Sequence, residues 1–95
     1  MKPELRGKVE QRLKRIAGQV AGIQRMVEED RYCVDVLLQV AAVRAALDGV
    51  GKLVLANHVE TCVAAAFAGG SARERLQKRD ELLEVFARFG AVESR

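Results

Sequence analysis

Ninety-five residues with a formal net charge of +3 make one domain, leave little room for a second, and bury only a modest core. The composition favours helix: Ala, Leu, Val, Glu, Arg and Lys abound, beside a single proline, one tyrosine and three phenylalanines. No stretch approaches a membrane span, and the N-terminus Met1-Lys2-Pro3-Glu4-Leu5 has no apolar leader, which predicts a cytoplasmic protein with no membrane partner.

Residues 1–15 set Lys2, Arg6, Lys8, Arg12, Lys14 and Arg15 against only Glu4 and Glu10, a basic face of the kind that suits polyanions. The first helix starts within this stretch. Val9, Leu13, Ile16, Val20, Ile23 and Val27 alternate spacings of four and three, the apolar stripe of a packed helix. Pro3 suits its first turn, where a missing N–H costs nothing. The helix is expected over about residues 4–28, with Asp30 as candidate N-cap of the next one.

The second segment runs from Cys33 to about Ala68. Val36, Val40, Val43, Leu47, Val50 and Val54 keep the same spacing, and Leu37, Leu38, Leu53 and Leu55 add further apolar faces. A helix apolar on so many sides needs burial by its own chain and by a partner. Gly49 and Gly51 each cost about 1 kcal/mol in a helix interior, and Asp48-Gly49 can mark a turn. The apolar spacing crosses them without changing phase, which predicts one continuous helix rather than a hairpin. Gly69-Gly70 ends it. Ser71 and Glu74 form a capping box for the third helix, whose apolar face is Leu76, Leu82, Leu83, Phe86 and Phe89 and whose stop is Gly90.

Three side chains stand out chemically. His58 is the only histidine, and the two cysteines are Cys33 and Cys62. In a reducing compartment two cysteines read as metal-binding or redox-active before they read as a structural disulfide. On a continuous helix Cys33 and His58 lie about 37 Å apart, so one chain cannot close them on one ion. Two antiparallel copies with their dyad near Ala45, Ala46 and Leu47 would bring Cys33 of one copy level with positions 58–62 of the other, giving two shared sites. Two thiolates and one imidazole suit Cu(I); structural zinc prefers four ligands, and nickel and cobalt want more nitrogen and oxygen donors. On the residues alone packing comes first, because cysteine is among the most buried residue types and a His-x-x-x-Cys spacing arises often by chance.

The run R-L-K-R-I-A-G-Q-V-A-G-I-Q-R-M-V-E-E-D-R-Y-C-V-D-V-L-L-Q-V-A-A-V-R-A-A-L, residues 12–47, with H-V-E-T-C-V at 58–63, strongly resembles the copper-sensing operon repressor family. The most specific elements are R-Y-C-x-D-x-L-x-Q and the downstream H-x-x-x-C, and the likeness covers nearly the whole chain. It implies an all-α repressor of three helices per chain over residues 1–95, an antiparallel helical dimer assembling into a tetramer, without a helix-turn-helix. The apo form would hold operator DNA and the inducer would release it. In the copper-responsive branch the ligands map onto Cys33, His58 and Cys62, with Cu(I) as the bound metal, and this lifts metal binding above packing.

The resemblance also joins the histidine to a tyrosine and a glutamate of the last helix, matched here by Tyr32 and Glu81, although the linker before Glu81 is longer than the family's. Tyr32 has a second reading as an aromatic in a helix joint. DNA contact falls to Lys8, Arg12, Lys14 and Arg15, with Lys52 on the second helix; a charged stripe of this kind is otherwise a solvated face. Ala17 and Ala21 replace the Glu and Arg of the family's E-G-Q-V-R-G pattern, removing one candidate contact at 21. The absence of an N-terminal histidine and of a second downstream histidine sets the chain apart from the nickel and cobalt branches. His58 separates it from the sulfur-sensing branch, and Cys62 from the formaldehyde branch. A thiol-switch repressor using Cys33 and Cys62 remains the alternative, and a helical oligomer without ligand is the third possibility. No serine–histidine–acid set or phosphate-cradling loop suggests an enzyme.

Overall fold

A computed structural model describes residues 1–93, with side chains through Arg88. Its elements are α1 (Pro3–Glu28), α2 (Cys33–His58), a π turn (Val59–Val63), α3 (Ala64–Gly69) and α4 (Ala72–Glu93). No strand occurs among the described residues. Because α2, the π turn and α3 follow without a gap, the described residues make three helical runs, as the apolar spacing predicts. Gly49 and Gly51 lie inside α2 and do not break it. A Cβ at Gly49 would only touch Arg12 Nη1 at 3.6 Å, an ordinary contact, so the packing does not demand glycine there.

The chain divides into two compact units, Lys2–Leu53 and the part from Val54 onward. In the first unit α1 and α2 lie antiparallel: Arg12 reaches Gly49, and Ile16 shares a cleft with Ala46. The buried residues are Val9 and Ile16 on α1 and Val43 and Val50 on α2, each pair seven apart. This is one position of the heptad. The other position of each stripe stays open, with Leu13, Val20 and Val27 on α1 and Val40 and Leu47 on α2 all exposed. In the second unit Val63 and Ala66 are buried, and α3 packs against the π turn and α4. Leu76, Leu83 and Phe86 of α4 remain exposed.

The helix ends follow local chemistry. Pro3 opens α1 at its first turn, as expected. At the other end Asp30 is not an N-cap. It has φ 53°, its N–H donates to the Val27 carbonyl, and the Arg31 N–H donates to the Met26 carbonyl. That pair of bonds is a Schellman stop with Asp30 in the left-handed position usually given to glycine. The acid therefore closes α1 instead of opening α2, a role aspartate can fill because its short polar side chain tolerates αL. At the 69–70 joint, Gly70 ends α3 by donating its N–H to the Ala66 carbonyl at 2.9 Å. The Ser71 hydroxyl then accepts the Glu74 N–H at 3.2 Å, the N-terminal half of the expected capping box. Arg75 crosses back to donate to the Gly70 carbonyl at 2.8 Å, fixing the turn. Gly90 does not stop the last helix, which continues to Glu93: a single glycine inside a helix costs about 1 kcal/mol and terminates nothing unless the chain needs a left-handed residue there. The Phe89 side chain lies outside those described.

Candidate functional site

Cys33 is the first residue of α2, and its placement is a product of how α1 ends. The Schellman stop leaves Arg31 and Tyr32 non-helical, and the Tyr32 carbonyl then accepts the Val36 N–H at 3.2 Å to start α2. The thiol of Cys33 is free and exposed. It borders an apolar recess formed by Val27, Val36 and Leu37 with Asp30 and Arg31. Tyr32 beside it is exposed as well, 69 % of its surface open, so in the isolated chain it is not the aromatic of a packed joint.

The second cluster lies at the far end of α2. His58 is its last residue and is half-buried, while Cys62, inside the π turn, is free and exposed. The turn is widened by one residue: the Ala64 N–H reaches the Val59 carbonyl, five residues back. Such widenings gather at functional sites. Thr61 lies within it, donating its hydroxyl to the Asn57 carbonyl at 2.8 Å and lying 3.6 Å from Cys62 Sγ. The side-chain Oδ1 of Asn57 is buried with no hydrogen-bond donor among the described residues. Sequence patterning did not reveal the π turn or Thr61. One available signal was a mid-helix threonine, a residue that bonds back to the carbonyl four positions earlier.

Within one chain the described residues bring no three His, Cys, Asp or Glu side chains into a group able to hold a metal. That agrees with an unbroken α2 between Cys33 and His58. The chemistry of the donors nonetheless fits a soft metal, since both thiols are free and exposed, and thiolate with imidazole is a set that favours Cu(I). Glu81 of α4 is exposed and pairs with Lys78 of its own helix at 3.7 Å, so in the lone chain its nearest ionic partner is a lysine.

The expected basic residues are all at the surface: Lys8, Arg12, Lys14 and Arg15 on α1 and Lys52 on α2. Arg12 and Arg15 line a shallow cleft of about 270 Å³ with Gln19, floored by Ile16 and Ala46. Two guanidiniums at one opening, three residues apart on a helix, present planar donors suited to phosphate oxygens. No described helix is long and apolar enough to cross a membrane.

An all-α chain with two free thiols, one imidazole and a basic helix face has the makings of a metal-responsive regulator. The chain belongs to the metal-sensitive transcriptional repressor family, whose model matches residues 6–88. These are repressors, not enzymes. It is 51 % identical over 78 residues to the copper-sensing transcriptional repressor CsoR of Bacillus subtilis, covering 82 % of this chain and 74 % of that one. The copper-sensing repressor CsoR with Cu(I) from Geobacillus thermodenitrificans has a similar fold, with a TM-score of 0.79 and 42 % identity over 92 % of this chain and 91 % of that chain. The nickel-responsive transcriptional regulator InrS is also similar, at TM-score 0.71 and 44 % identity over 87 % of this chain and 90 % of that chain.

Proposed function

We propose that this protein is a Cu(I)-responsive repressor that holds operator DNA without metal and leaves it when Cu(I) binds, derepressing copper-resistance genes. The observation that carries this reading is the donor set: two free, exposed thiols and a single imidazole in a chain of the metal-sensitive family. The similarity to copper-sensing relatives supports it. Nickel fits less well, because one histidine cannot supply the nitrogen-rich set that metal prefers. Each site would join Cys33 of one protomer to the partner's His58 and the partner's Cys62, in an antiparallel dimer or a tetramer built from two. The open apolar positions on α1, α2 and α4 support such assembly. Residues 1–95 act as a single cytoplasmic repressor domain.

When bound, Cu(I) would supply a soft centre that favours thiolate and imidazole donors. The chain's own residues do the rest. Cys33 and Cys62 hold the ion, and His58 completes the set and orients it. Tyr32 and Glu81 fix the imidazole tautomer and carry its position to α4, with Glu81 exchanging its Lys78 partner to do so. Lys8, Arg12, Lys14, Arg15 and Lys52 neutralise operator phosphates. An inducer shifts the DNA equilibrium only by its differential affinity for the two states, so the coupling should fall at about 1–3 kcal/mol.

Anaerobic Cu(I) titration against a competing chelator, with operator binding followed by fluorescence anisotropy, tests this. One equivalent per chain and lowered operator affinity are expected. His58→Ala should keep copper on its thiolates yet stay on DNA. A wild-type protein whose operator affinity ignores Cu(I) refutes the copper reading. If it instead leaves DNA when Cys33 and Cys62 react with persulfide or oxidant, the thiol switch takes its place; both thiols are exposed enough to react.

A further inference from the structure

We infer that Thr61 is a positioning residue for the donor pair, its hydroxyl pinning the π turn that sets His58 and Cys62 relative to each other; this rests on the donor roles proposed above. Within an α-helix the Asn57 carbonyl is the acceptor for the N–H of residue 61. One extra residue in the turn brings in five-residue bonds, and at its end the Ala64 N–H is shared between the Val59 and Thr61 carbonyls. The Thr61 hydroxyl donates to that same Asn57 carbonyl at 2.8 Å, adding a side-chain bond that ties residue 61, inside the widened turn, to the last turn of α2. A hydroxyl has one proton to donate, and the carbonyl is far closer than Cys62 Sγ at 3.6 Å.

Asn57, which presents that carbonyl, is half-buried near the end of α2. The widened turn begins directly after His58 and contains Cys62. Closing it to α geometry would rotate everything beyond it, moving the thiol relative to the imidazole. The hydrogen bond is therefore placed where its loss is felt by both donors at once. Threonine supplies the hydroxyl with a β-methyl that narrows its rotamers, so the group is preset for this contact.

Thr61→Val in the full-length protein removes the hydroxyl at nearly constant shape, and Thr61→Ser returns it. Without metal, amide hydrogen exchange across Cys62–Ala64 should be roughly three- to tenfold faster in Thr61→Val, the effect of one net hydrogen bond, and within about twofold of wild type in Thr61→Ser. Loaded with Cu(I), X-ray absorption should show two sulfurs and one imidazole nitrogen in wild type and in Thr61→Ser. Thr61→Val should keep the sulfurs and lose the nitrogen. If Thr61→Val does not fold, Thr61→Ala carries the same comparison. Exchange and nitrogen ligation both unchanged in the hydroxyl-free variant overturn the role of Thr61 while leaving the copper site intact. A wild-type spectrum without nitrogen overturns the donor assignment of His58, and this role with it.

Discussion

Gly69 and Gly70 are neighbours in sequence, yet alanine should act on them in opposite directions. At Gly70 a Cβ would lie 2.5 Å from the Ala66 carbonyl oxygen, 3.2 Å from its carbon and 2.7 Å from Glu74 Oε2. The glutamate can swing away. The carbonyl cannot, because it is backbone in the last turn of α3 and accepts the Gly70 N–H at 2.9 Å. The φ of Gly70 is −86°, so the strain is steric and not a matter of left-handed backbone. Opening the contact means shifting the joint that the Ser71 and Arg75 bonds hold, and forced overpacking of this kind costs about 1–3 kcal/mol. For a chain of this size that corresponds to roughly 4–20 °C in melting temperature. At Gly69 a Cβ meets nothing within 4 Å and the residue is helical, so alanine should stabilise by up to about 1 kcal/mol. Thermal melts by circular dichroism, at one protein concentration, measure both. A Gly70→Ala protein melting with wild type, or a Gly69→Ala protein melting well below it, would refute this account of the α3–α4 joint.

Asp30, at φ 53°, should accept glycine with a gain of roughly 0.5–1 kcal/mol, whereas Asp30→Val should lose about 1–2 kcal/mol; urea unfolding distinguishes them. Arg15→Ala should lower operator affinity and reduce the slope of log affinity against log salt by about 0.9 if it neutralises one phosphate, with copper uptake unchanged; an identical slope places the DNA surface elsewhere. Mixing Cys33→Ala chains with Cys62→Ala chains should restore one Cu(I) site per heterodimer, since one pairing reunites an intact Cys33 with an intact His58 and Cys62. No recovered site would show that the donors are not shared between chains.

The helical runs were legible because apolar spacing is a direct consequence of 3.6 residues per turn. That same phase, unbroken across Gly49 and Gly51, carried α2 through two residues whose propensities favour a break. Propensity was outweighed by the packing of Val43, one heptad earlier, and of Val50, which lies between the two glycines. Helix ends were harder. Asp30 reads equally as cap or stop from composition alone, and only its positive φ decides; Gly90 reads as a stop, but nothing local demands left-handed backbone. For the site, residue type made Cys33, His58 and Cys62 conspicuous, and family resemblance ordered their roles. The π turn had no periodic signature, because five residues are too few to reset a pattern read over a whole helix. The exposed basic stripe was visible as charge, but the cleft between Arg12 and Arg15 depends on small Ala46 opposite, a pairing that exists only once α1 lies on α2.

The six buried apolar residues of the described chain are Val9, Ile16, Val43, Val50, Val63 and Ala66, and no large side chain among them is fully enclosed. A single copy with so little buried apolar surface should open locally more readily than an assembled one, and open segments are what proteases cut. If a second copy covers Leu13, Leu47 and Phe86, as the proposed assembly requires, it would also protect the chain from proteolysis. Turnover per molecule should then be fastest at low concentration and fall as concentration grows, so the abundance of this protein would have a built-in lower threshold, below which newly made chains are cleared before they find company.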